Sequence, residues 1–160
     1  MTMQTEFKVL SRLRSLEIFA DLETEHLKKL AAAASEVEFH ENDIIYDEGH
    51  VGHGVYIIDS GQVAIEMKSF NEEYVTLHRL GPGEVFGWSA LFPAERKGAR
   101  ARVLTPTQAI MLDANQLRAA WQHDHRFENA IIHRTTWVML DRIRQARRQL
   151  VDALADKGTT

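Results

Sequence analysis

The stretch "DIIYDEGHVGHGVYIIDSGQVAI", residues 43–65, decides the architecture. Within "DIIYD", "GVYIID" and "QVAIEM" apolar residues recur with a period close to two, the mark of strands with one buried face. The joints "DEGHVGHG" and "DSGQ" are rich in turn-forming residues, as expected between neighbouring antiparallel strands. Outward from this stretch the period persists. "EVEFH" precedes it, and "YVTLHRL", "ARARVLT" and "QAIMLD" follow, bounded by "SFNEE", "GPGE" and "TPTQ". Seven or eight short strands at such even spacing predict an antiparallel sandwich or barrel over residues 36–113.

Helical patterns flank the strands. Phe7, Leu10, Leu13 and Leu16 recur every three residues and "ETEHLKKLAAAAS" opens with acidic residues, so residues 1–35 read as N-terminal helices joined by the connector "EIFADL". Downstream, Asp113 with Gln116 three positions on is a capping-box pattern. "RFENAIIHRTTWVMLDRIRQARRQLVDALA" then runs without Gly or Pro, which predicts C-terminal helices over 114–156, with "ADKGTT" as a frayed tail. Ile132, Thr136, Met139, Ile143, Ala146, Leu150 and Ala153 alternate by four and three. That heptad seam predicts a homodimer through the last helix, or a helix lying on its own barrel. At 160 residues and 44% hydrophobic, the three zones form one domain.

A net charge of −4 gives no overall attraction to nucleic acid or anionic membrane. The chain has no cysteine, which excludes disulfides and thiolate metal sites. Its N-terminus is polar, and no apolar run approaches the roughly 18 residues of a membrane span. A cytoplasmic protein without a membrane partner is expected.

The second informative stretch is "GPGEVFGWSALFPAERKG", residues 81–98. Glycines leave one end nearly free of side chains, and the other carries Glu95, Arg96 and Lys97.

The order of elements, together with "LEIFADLETEHLKKLAAAA", residues 43–65 and "LGPGEVFGWSALF", resembles the cyclic-nucleotide-binding domain of Crp/Fnr regulators, protein kinase A regulatory subunits and nucleotide-gated channels. The resemblance covers roughly residues 10–150. It implies an α+β, mainly β fold: an eight-stranded antiparallel jelly roll (double-stranded β-helix) between N-terminal helices and a long C-terminal helix. It implies a single-domain regulatory sensor or adaptor whose ligand, cyclic AMP, cyclic GMP or another small anion, signals through the C-terminal helices to an unidentified protein partner. No other cofactor is expected.

Carried onto this chain, the resemblance makes Gly87 the close-approach glycine and Ala90 a backbone donor. Ser89 supplies backbone or hydroxyl contacts. The position of the family's phosphate-facing Arg falls on Lys97, followed by Gly98, with Arg100 as a second cation; Arg96 or Arg102 would substitute if the loop slips. Two departures matter. Trp88 stands where the family has a ribose-binding Glu, and an indole cannot accept a hydroxyl proton. Lys97 is a point charge without the guanidinium fork. Trp88 therefore either stacks on a base or plugs the pocket.

A ligand-free interaction module is the competing reading, followed by a cupin-like metalloenzyme. His50 and His53 lack the cupin spacing, and His123 and His125 fall at a helix end, so no metal site is expected. Ser60, Ser69 and Ser89 lack a local base pattern, so no catalytic residue is assigned. Arg142, Arg144, Arg147 and Arg148 read as solvated flanks of the helix seam. A winged helix-turn-helix would need about 60 more residues than follow Leu150, so direct sequence-specific DNA binding is not expected.

Overall fold

The computed structural model describes residues 2–158. Helix α1 (Met3–Ser15) is capped by Thr2, whose side chain accepts from the Thr5 amide. Helix α2 (Thr24–Ala32) follows a 3-10 turn at Glu17–Phe19, where the sequence suggested a connector. Val9 and Leu13 are the buried residues of α1, whereas Phe7 is exposed.

Six strands follow: β1 (Ala34–Phe39), β2 (Ile44–Tyr46), β3 (Gly54–Lys68), β4 (Tyr74–Leu80), β5 (Val85–Phe86) and β6 (Arg100–Asp113). They form one sheet in the order β1-β6-β3-β4, with β2 added on β6 and β5 on β3. Every pairing is antiparallel.

The expected count of eight becomes six for a physical reason. "DSGQ" and "TPTQ" do not end strands; they face each other as irregularities within the long β3–β6 pair, whose register shifts between Ile58 and Val63. Pro106 has no amide to give to the ladder, and Gly61 sits at φ +96°. Ile58 and Val63, an odd five residues apart, both belong to one hydrophobic cluster. A regular strand would point them to opposite faces, so the bulge absorbs one residue and restores the buried face. A Cβ on Gly61 would lie 2.3 Å from Thr107 Oγ1 and 2.5 Å from the Pro106 carbonyl oxygen. Gly61→Ala is therefore expected to cost about 2–4 kcal/mol in denaturant unfolding; a change below about 0.5 kcal/mol would refute the argument. The strand missed altogether, β5, has two residues, too few to display a period.

Helix α3 (Ala114–Trp121) is capped by Asp113, whose carboxylate accepts from the Gln116 amide. Helix α4 then runs His125–Lys157. The expected frayed tail is thus helical as far as Lys157, while Thr159 and Thr160 lie outside the described residues. Only Phe127, Ile131 and Thr135 of α4 are buried. No helix among the described residues is long and apolar enough to cross a membrane.

Two hydrophobic clusters hold the chain. A helix-side cluster joins Val55, Ile57, Ile110 and Leu112 of the sheet to α1, α2, α3 and the start of α4. A smaller strand cluster contains Ile58, Val63, Leu80, Phe86 and Ala101, with Tyr46 and Tyr56 packed against it. Strand β5 reaches both, with Val85 in the first and Phe86 in the second.

Candidate functional site

Strand β5 delivers the chain to Gly87, which adopts φ +87° and opens a 3-10 turn over Trp88–Leu91. A Cβ at Gly87 would approach the Gly54 carbonyl oxygen to 2.9 Å and the Tyr56 ring to 3.4 Å. Glycine is needed here both for the left-handed backbone and for the close approach.

The turn consumes one of the expected donors. The Ala90 amide donates to the Gly87 carbonyl at 3.1 Å. Ser89 is half-buried, and its carbonyl accepts from the Phe92 amide. Trp88 is buried in the helix-side cluster, and its Nε1 has no hydrogen-bond partner among the described residues. The indole is therefore part of the core rather than an exposed stacking platform.

Of the cations expected from the sequence, Lys97 is the one that reaches the turn. Its Nζ donates to the Gly87 carbonyl at 3.0 Å and lies 4.3 Å from the centre of the Tyr46 ring. Only 4% of the residue is exposed. Burial pushes its amine down to about 8. The loop that carries it is tied to the turn after β2: the Lys97 amide donates to the His50 carbonyl and the Gly49 amide donates to the Lys97 carbonyl. Arg96 adds a bond to the Gly49 carbonyl. Gly98 is exposed, with open space where a side chain would stand.

Arg100 does not join them. Alternation along β6 places Ala101 in the strand cluster and Arg100 on the opposite face. There Arg100 Nε donates to Glu66 at 2.9 Å, and its guanidinium lies 3.2 Å from the centre of the Tyr74 ring. Arg102 donates to both oxygens of the same carboxylate. These arginines hold the Glu66 carboxyl below the usual range, the Arg102 bond foremost. The structure thus gathers Gly87, Ser89, Ala90 and Lys97 at one turn, and gives Arg100 and Arg102 to an ion-pair network around the buried Glu66.

Two further residues grip the same segment and were not read from the sequence as part of it. Arg118 of α3 donates to the Ala90 carbonyl at 2.5 Å. Arg142 of α4 donates to the Val85 carbonyl at 3.0 Å and pairs with Glu84 at 3.7 Å. Arg142 therefore leaves the solvated run assigned to it and becomes a strut. A carbonyl partner has no sequence signature, so neither contact could be read in advance. Gly52 is similar: a Cβ there would stand 2.4 Å from Lys97 Cε. Among the described residues no group of three or more His, Asp or Glu side chains is placed to hold a metal ion.

An antiparallel sheet flanked by helices carries a glycine-led turn whose segment is bonded to both C-terminal helices, and comparison with known proteins gives the family. The model of the cyclic nucleotide-binding domain matches residues 36–124, more than half of the chain. The chain belongs to that family. It is 26% identical over 137 residues to the CRP-like cAMP-activated global transcriptional regulator of Mycobacterium tuberculosis, covering 86% of this chain and 59% of that protein. The chain thus spans about three-fifths of the length of this curated relative. In fold it is similar to a cyclic nucleotide-binding domain from Methylobacillus flagellatus, with a TM-score of 0.78 at 17% identity, over 94% of this chain and 84% of the other. It is also similar to the regulatory subunit of a cAMP-independent protein kinase A from Trypanosoma cruzi bound to guanosine, with a TM-score of 0.67 at 19% identity, over 74% of this chain and 43% of the other.

Proposed function

We propose that the protein is a cytoplasmic regulatory sensor that takes a small phosphate-bearing ligand, cyclic AMP or cyclic GMP first among the candidates, at the Gly87–Gly98 segment. The signal leaves through α3 and α4. The observation that carries this reading is the pair of arginine struts. Arg118 and Arg142 hold carbonyls on either side of Gly87, so a displacement of the turn breaks or strains a bond to each helix. The ligand acts by unequal affinity for two helix arrangements. Beyond Arg142, α4 exposes Ile143 and Leu150, seam residues preceded by the exposed Met139. A second copy covering that seam is the receiver in this reading.

A ligand-free scaffold remains the alternative, favoured by the engagement of Lys97 with Gly87 and by the burial of Trp88. Thermal unfolding separates the two. Cyclic AMP or cyclic GMP at 100 times its dissociation constant is expected to stabilise the protein by about 2.7 kcal/mol. Arg142→Ala should retain that binding while losing any ligand-dependent change in α4 hydrogen exchange. No stabilisation by either nucleotide at millimolar concentration would leave the scaffold reading.

A further inference from the structure

Lys97 presents an unusual balance of contacts. Its ammonium is buried, yet among the described residues no carboxylate forms an ion pair with it. One of its three donors is met by the Gly87 carbonyl at 3.0 Å. The face of Tyr46, at 4.3 Å, adds a cation–π contact. Tyr46 itself stays a neutral phenol, since burial raises its ionisation far above the physiological range. A buried cation without a counter-anion is held at a cost. The space it fills exists because two neighbours lack side chains. A Cβ at Gly52 would fall 2.4 Å from Lys97 Cε and 2.8 Å from Nζ, and one at Gly87 would fall 3.6 Å from Nζ.

We propose that Lys97 is a tethered occupant of the seat bounded by Gly52, Gly87 and Tyr46, and that this seat opens only to a ligand whose anionic group takes the ammonium from the Gly87 carbonyl. The side chain then has two stations: inward on Gly87 and Tyr46 in the free protein, and paired with the ligand's phosphate in the complex. A neutral nucleoside offers the ammonium nothing in exchange and is refused. The opening half of this proposal rests on the sensor reading above; the occupancy of the free protein does not. Because the loop is stapled at Gly49 and His50 by main-chain bonds, the exchange moves a side chain rather than the loop.

The experiment observes the ε-methylene protons of Lys97 in protein labelled at lysine, alongside calorimetry with cyclic AMP, cyclic GMP, inorganic phosphate and guanosine. In the free protein the Tyr46 ring should shift the Lys97 signal upfield, and Gly52→Ala, whose new methyl displaces Cε, should return it to the ordinary position. Cyclic nucleotide should do the same in the unaltered protein and guanosine should not; phosphate alone tests whether the anion suffices without the nucleoside. Lys97→Met, which keeps the bulk without the charge, should lower cyclic nucleotide affinity at least tenfold. An unshifted Lys97 signal in the free protein, with the rest of the spectrum folded, overturns the occupancy whatever is added. Displacement by guanosine as readily as by cyclic AMP overturns the requirement for an anion. Binding heat from cyclic nucleotide without movement of the Lys97 signal overturns the exchange and leaves the sensor reading intact. A shifted signal with no binding heat from any ligand in any variant sinks the sensor reading and the opening step together, and confines Lys97 to a structural role.

Discussion

Trp88→Ala is expected to cost about 3–5 kcal/mol of unfolding free energy, the range for removing a large aromatic side chain from a packed core. The indole is 6% exposed and belongs to the cluster that includes Val55, Leu91, Leu117 and Phe127. The loss should therefore reach the helices as well as the turn. Trp88→Phe makes the comparison informative. It deletes the buried Nε1, which has no partner, and so removes a desolvation penalty while leaving most of the apolar contact. A cost near 1 kcal/mol is expected. The two variants are compared by urea unfolding at equal protein concentration. If Trp88→Ala proves no worse than Trp88→Phe, the side chain is not in the core. The same burial decides what Trp88→Glu would do. A carboxylate at this position enters an apolar cluster, so the variant should unfold rather than regain a ribose contact.

Glu66→Ala carries the second large effect. Glu66 is 3% exposed and accepts from Arg100 at 2.9 Å and from Arg102 at 3.0 and 2.9 Å. Removing the carboxylate strands two guanidiniums on the face of the sheet, which costs about 3–5 kcal/mol when such a pair is fully buried. Both arginines keep some solvent access, so the lower end applies. A fall in Tm of about 10 °C follows at about 2–4 °C per kcal/mol for a chain of this size. Acidity provides an independent check. The folded-state pKa of Glu66 is depressed, so its contribution is complete above the unfolded carboxyl value of about 4.3 and is lost as pH falls through the folded value. Glu66→Gln should flatten that acid limb of the stability curve. An unchanged limb would show that the network contributes no net stability.

Strand β6 shows why the longer strands were legible: Ala101 and Val103 are buried between half-buried neighbours, and such burial writes a period of two into the sequence. What could not be read was whether a turn-like group ends a strand or kinks it. "DSGQ" suits a hairpin as well as a bulge, and the choice is made by Pro106 and Thr107 on the partner strand, more than forty positions away. Gly87 was placed by the family resemblance, and the structure adds the reason: a left-handed backbone and a close approach to the Gly54 carbonyl. Side-chain destinations were not placed. Lys97 and Arg100 are three residues apart with like charge, yet one turns to a carbonyl beneath the 3-10 turn and the other to a carboxylate on the far face, as the onset of β6 requires. Arg142 looked like one of a solvated row, because nothing in a helix's own sequence announces a main-chain acceptor on a distant strand.

The junction between α3 and α4 fixes where motion can begin. Asp124 caps α4 through the Phe127 amide and is also bound by Lys29 of α2, so the start of the long helix is pinned to the N-terminal bundle. From that fulcrum to Arg142 is about 27 Å along the axis, and to Lys157 about 50 Å. A sideways push of 1 Å at the Arg142 strut becomes roughly 1.8 Å at the tip of a rigid rod of those proportions. The molecule has the proportions of a lever driven near its midpoint, trading force at the sheet for travel at the far end.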